Sequence, residues 1–286
     1  MEHRIPDPVP PMPLERYLRR AWPMLPGHRL RDLLKKRDVK REGARLGAKD
    51  TVRGGDCLTI FLPEALLCPG PEWLARDEGL GALLKPQGLP VEADREGVGA
   101  DTLLTRLWRE APGAQLLHRL DAAAGGLVLA ALNEETLAQG LDTFRLHALR
   151  KGYRALAKGG FDRGEGALKA WLVKDARHSR VRVLHGPAAG ARDIETRYRV
   201  LWDDGKTAGL ELEPVTGRTH QLRAHMADFG HPLLGDDHYG DRAFNAARPG
   251  PLRLWCSWMT IGRDAPLARW RGQTFRAPDP AWWQEE

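Results

Sequence analysis

From about Leu80 onward the chain reads as a succession of short strand-like runs cut by turns, and only two stretches keep helical spacing. No other feature restricts the fold as much. Residues 115–121, 127–132, 152–158, 169–174, 181–184, 194–202 and 209–215 read as strands. One helix should begin at Asn133, whose side chain can cap it, with Glu134 and Glu135 in the first turn and Leu137, Leu141 and Phe144 as its buried stripe. A second should run over about 219–229, with Leu222, Met226 and Phe229 on its core face and Gly230 as its stop. Strands that outnumber helices and do not alternate with them imply an α+β fold, a mixed and largely antiparallel central sheet with flanking helices.

The segment before it is of another kind. Residues 14–20 and 30–36 carry leucines four apart and read as two short helices, a strand starts at Val39, Gly43 and Gly54-Gly55 mark turns, and 57–62 is a closing strand. Residues 14–53 hold thirteen basic against five acidic side chains, a surplus of eight. The whole chain carries +6, so the remainder nets −2. A concentrated basic segment beside a near-neutral remainder is an electrostatic footprint for a polyanion. Pro63, Pro69, Gly70 and Pro71 then break the chain. The expected partition is a Pro-rich tail (1–13), a small basic α/β module (14–66), a linker (67–79) and a large domain (80–286).

Several classes are excluded by what is missing from the pattern. No apolar run approaches the roughly 18 residues of a membrane span. The Pro-rich lead lacks the hydrophobic centre of a signal peptide, so a cytoplasmic location with no membrane partner is expected. Cys57, Cys68 and Cys256 show no CxxC spacing, so they read as ordinary thiols in a reducing compartment.

The chemistry concentrates in three separated motifs. His118-Arg119-Leu120-Asp121 is followed by Gly125-Gly126-Leu127, and Lys151-Gly152-Tyr153-Arg154-Ala155 comes next. Thr216-Gly217-Arg218-Thr219-His220-Gln221-Leu222-Arg223 then leads to Gly230-His231-Pro232 and Gly235-Asp236-Asp237-His238-Tyr239-Gly240. Together, over roughly residues 80–286, they resemble the RluA-type family of pseudouridine synthases in pieces, order and spacing. Residues 14–62 resemble a small RNA-binding module, first seen in a ribosomal protein, that often precedes this domain.

The resemblance implies an enzyme that isomerises uridine in structured RNA, ribosomal or transfer, with no redox, nucleotide or metal cofactor. It implies Asp121 as the catalytic carboxylate, Arg223 as its cationic partner and Tyr153 as the aromatic against the target base. Arg119 would fill the gap left by an extruded nucleotide, and Arg218, Thr219, His220 and Gln221 would contact substrate. Extrusion follows from access, because the reacting atoms lie inside a base stack. An oxygen nucleophile must be ionised and held against base or sugar, and a fixed cation nearby favours the charged form. Addition to carbon 6 of the uracil and attack at, or proton loss from, the ribose both fit. His118 is read as structural. His220 and His225, five apart, do not share a helix face, which argues against a metal site.

Two departures stand out. Where relatives usually carry Thr-Ser after the HRLD motif, this chain has Ala124-Gly125, and a common Leu-His-Ala becomes Leu254-Trp255-Cys256. They leave room for a second reading, an RNA-binding protein that keeps the fold and has diverged in catalysis.

Overall fold

The computed structural model describes residues 1–175 and 180–284. They divide into two compact units, one of residues 1–72 with 88–114 and another of residues 73–87 with those from 115 onward.

In the first unit a four-stranded antiparallel sheet has the order Glu2–Arg4, Cys57–Ile60, Val39–Arg41, Ala44–Arg45. Helices Leu14–Ala21 and Gly27–Lys36 accompany it. Tyr17, Leu18, Leu30 and Leu33 share one core with Val39, Leu58 and Ile60, as helical spacing of leucines against alternating strand residues requires.

The partition differs from the expected one at two places. Residues 1–13 are not a tail: Glu2–Arg4 pairs with Cys57–Ile60, and Ile5, Val9 and Met12 are buried in the core. Prolines break periodicity without preventing such burial. The segment 88–114 belongs with this unit rather than with the large sheet. Its Val98 enters the same core, and its helix Leu103–Glu110 is held at the start by a reciprocal Thr102–Thr105 capping box. Buried Arg106 bonds Asp101 through two contacts of 2.6 and 2.8 Å.

The second unit is built on one large sheet. Its described strands run in the order Arg180–Leu184, Glu165–Asp175, Arg192–Asp203, Thr207–Pro214, Leu149–Lys158, Leu254–Ile261, Gly125–Ala131, Leu80–Lys85 and Glu72–Arg76. The fold is the mixed, mainly antiparallel α+β arrangement that the strand-rich pattern implies. The pair Gly125–Ala131 and Leu254–Ile261 runs parallel, and every residue of Gly125–Ala131 is buried, as a strand covered on both faces should be.

Two expected elements change. Of residues 115–121 only Gln115–Leu116 stays in the sheet; the chain then leaves it, and a turn closes with the Ala124 N–H donating to the Asp121 carbonyl at 3.0 Å. The helix Glu134–Arg145 is capped by Asn133, which accepts from the Thr136 N–H at 2.8 Å. Its buried stripe, however, is Thr136, Gly140 and Thr143, and Leu141 is 50% exposed. Gly140 decides this rotation, since a Cβ there would lie 2.4 Å from Leu117. The helix turns its smallest residue toward the sheet for closer packing.

Candidate active site

Asp121 stands in the loop between the two-residue strand Gln115–Leu116 and Gly125–Ala131, with its side chain 26% exposed. Beneath it, Lys85 ends its strand fully buried and donates to the carbonyls of Pro86 (3.0 Å) and Ala122 (3.1 Å). It thus holds the loop one residue past Asp121. Burial lowers the Lys85 pKa to about 7, while the Asp121 charge pulls it up. His118 accepts from the Leu129 N–H at 3.1 Å and stacks on Phe144 at 5.0 Å. Burial first, then the Lys151 charge, brings its pKa down to about 3, so it serves as a neutral brace.

The cation opposite Asp121 comes from the helix Gln221–Asp228. Arg223 is buried, as are all residues from Gln221 through Met226. Phe229, expected on the core face, is 38% exposed. The main partner of Arg223 is Asp236, also fully enclosed: Nε and Nη2 donate to its two oxygens, each at 2.8 Å. The N–H groups of His238 (2.8 Å) and Tyr239 (2.9 Å) add to Asp236 Oδ1. Burial pushes the Asp236 pKa up, but the Arg223 hydrogen bonds and charge outweigh it and hold the carboxyl below its ordinary range. Arg223 Nη2 also reaches Asp237 at 3.0 Å, and the guanidinium lies 5.5 Å from the Tyr239 ring. Only the remaining Nη1 turns to Asp121, at 3.4 Å.

Tyr153 is buried on the strand Leu149–Lys158. It pairs with Cys256 on the neighbouring strand, and burial, then that neighbour, then Asp121 raise its pKa. Cys256 is itself pushed up to about 12 by burial, against the Lys151 charge and hydrogen bonds from Tyr153 and the Leu127 N–H. The strand that carries Cys256 pairs on one side with the strand after the Asp121 loop and on the other with the one carrying Tyr153.

The expected substrate-contacting residues separate into two kinds. Arg119, Arg218 and Thr219 are exposed. His220 takes a left-handed backbone (φ 54°), bonds the Tyr239 hydroxyl at 3.0 Å and brings Nε2 to 3.8 Å from Asp121. Gln221 is not available. Its carbonyl oxygen accepts from Thr216 (2.8 Å) and the Arg218 N–H (3.1 Å), and its amide donates to the Glu195 carbonyl (2.9 Å) and Thr196 (3.2 Å). With both ends engaged and 3% exposure, it fastens the turn that presents its neighbours. Its periodic position could not reveal this, because the partners of its amide lie about 25 residues away.

Lys85, Lys151 and Cys256 were not singled out for the site by sequence. A lysine buried beside a carboxylate or thiol is visible only once strands are placed side by side. The two departures from the family pattern also turn out to be neighbours. Gly125 pairs with Trp255 across the parallel strands, and a Cβ at Gly125 would lie 2.3 Å from the Trp255 ring. The loss of a side chain at one position admits the larger one at the other. Gly126 beside it (φ 108°) leaves no room either, since a Cβ would sit 2.3 Å from the Cys256 carbonyl.

Known proteins share both the sequence pattern and the fold. Residues 81–228 match the family described as RNA pseudouridylate synthase. The chain is 30% identical over 251 residues to ribosomal large subunit pseudouridine synthase C of Vibrio cholerae, covering 82% of this chain and 78% of that protein. It is 32% identical over 215 residues to the dual-specificity RNA pseudouridine synthase RluA of Escherichia coli K12, covering 73% and 95%. The fold is shared with human RNA pseudouridylate synthase domain containing 4 (TM-score 0.62, 22% identity, 74% of this chain and 90% of that one). On more than half of its length, and with three motifs gathered around one carboxylate, the chain belongs to the RNA pseudouridylate synthase family.

Proposed function

We propose that Asp121 is the catalytic carboxylate of this synthase, acting on a flipped-out uridine in ribosomal or transfer RNA, in the cytoplasm and without a cofactor. The observation that carries the assignment is the shared guanidinium. Asp121 takes the last free arm of Arg223 at 3.4 Å yet keeps a quarter of its surface open to a substrate. The reaction breaks the bond from ribose C1′ to base N1 and forms one from C1′ to C5. C5 loses its proton and N1 gains one, so nothing enters or leaves overall. Asp121 supplies the oxygen that attacks base or sugar, and Arg223 stabilises its charged form when the base covers it. Tyr153 forms the buried floor against the base, while Arg119, Arg218, Thr219 and His220 surround the opening. Gln221 acts through the turn it fastens.

The RNA class follows the relatives, one named for the large ribosomal subunit and one for dual specificity. The basic first unit fits a polyanion, with exposed Arg29, Arg31, Lys35 and Lys36 along one helix. The test is release of tritium from C5-labelled uridine in bulk cellular RNA. Wild type should release it and Asp121→Asn should not, while both still bind RNA. Equal release would remove Asp121 from the reaction, and none from either would favour a non-catalytic RNA-binding protein.

A further inference from the structure

Phe61, just past the strand Cys57–Ile60, keeps 52% of its surface exposed, more than the 38% of Phe229. Isolated surface apolar residues need no explanation, but this one is not isolated. The Lys40 ammonium lies 5.2 Å from its ring centre. The Phe61 backbone N–H donates to the Asp38 carbonyl at 3.0 Å, which places Phe61 close to the end of the helix Gly27–Lys36. Arg45 donates to the carbonyl of Lys36, the last residue of that helix, at 3.1 Å and lies 3.8 Å from Asp38. Lys40 is the cation over the ring, and Lys35, Lys36, Arg37 and Arg45 lie on the helix end and neighbouring strand that flank Asp38, against Asp38 and Glu42. All but Lys40, which is half-buried, are exposed among those five cations.

We propose that Phe61 is a stacking platform for an unpaired nucleobase of the RNA, with the surrounding cations on the flanking phosphates. This rests on the reading of the first unit as RNA-binding and adds to it the kind of RNA taken: a loop, bulge or single strand rather than a continuous duplex. An aromatic face accepts any base without reading its edge, and a positively charged surround follows the backbone. A wholly paired helix hides its base faces and can reach only the cations.

The test uses full-length protein and two fluorescent RNAs of equal length, a hairpin with a large single-stranded loop and a blunt duplex, with affinity read by anisotropy over a salt series. Phe61→Ala should weaken hairpin binding about tenfold, the loss of one stacked base. It should leave duplex binding and the salt slope unchanged, and Phe61→Trp should restore hairpin affinity. Lys35→Ala, Lys36→Ala and Arg37→Ala together should weaken both RNAs and flatten the slope by about 0.7 for each single-strand phosphate no longer neutralised. Unchanged hairpin binding by Phe61→Ala overturns the platform and leaves the ring to a protein contact. If the triple variant also binds as wild type does, the RNA role of the unit fails as well.

Discussion

Of the three carboxylates that share the Arg223 guanidinium, Asp236 and Asp121 are treated in opposite ways. Asp236, in the loop after the Gln221–Asp228 helix, is wholly buried, takes two 2.8 Å bonds and two backbone N–H groups, and has no capacity left over. Asp121, in the loop before Gly125–Ala131, takes one longer contact and remains a quarter exposed. The first carboxylate positions the arginine and the second is positioned by it. An arginine held by a single partner could swing away, whereas one already fixed by a fork-like pair offers its third nitrogen at a set place.

The largest effect should come from the exposed partner. Asp121→Asn should lower the rate of tritium release on the order of 10⁴-fold or more while thermal unfolding stays close to wild type. Asp236→Asn should do the reverse in emphasis. Leaving Arg223 short of its buried counter-charge should cost about 3–5 kcal/mol in urea unfolding, with activity falling on the order of 10²-fold as the guanidinium shifts. Wild-type stability for Asp236→Asn would end the distinction between the two carboxylates.

Acid unfolding sharpens it from another side. His118 and His225 in the catalytic unit are lowered to about 3 and 4, mainly by burial. The unfolded chain therefore takes up protons first. Their contribution is complete above pH 6.5 and is lost as the pH falls towards 4 for His225 and 3 for His118, up to about 2 kcal/mol each at pH 5. Asp236, held low, should give way only below the ordinary carboxylate range. Urea midpoints at pH 7, 5 and 4 should show the decline beginning between 7 and 5, and a flat profile there would mean that the histidines are not buried neutral.

A smaller effect is expected beside the Asp121 loop. Gly125→Ser should destabilise by about 1–3 kcal/mol through overpacking against Trp255. Gly125→Ser with Trp255→His should recover most of that loss. Simple additivity in that double-mutant cycle would show the two departures to be independent.

Much of the site was legible in the chain. The HRLD, KxYxA and GRTHQ motifs, with the loop containing Asp236, do assemble around Asp121. The capped helix Glu134–Arg145 began where Asn133 predicted, because capping is a local hydrogen bond. What failed to read through was long-range. The stripe of that helix was displaced because Leu117 approaches Gly140. Residues 1–13 and 88–114 joined the first unit because strand pairing and a shared core, not composition, decide membership.

By itself, then, the sequence determined the fold class, the family and the choice of Asp121 as the carboxylate to test, since these rest on residue types at set spacings. The tertiary structure alone decided that Arg223 belongs first to Asp236, that Gln221 is a fastening rather than a contact, and that Gly125 and Trp255 exchange volume. Each of those depends on burial and on which atoms meet across strands distant in the chain, and spacing along one strand or helix carries no record of that.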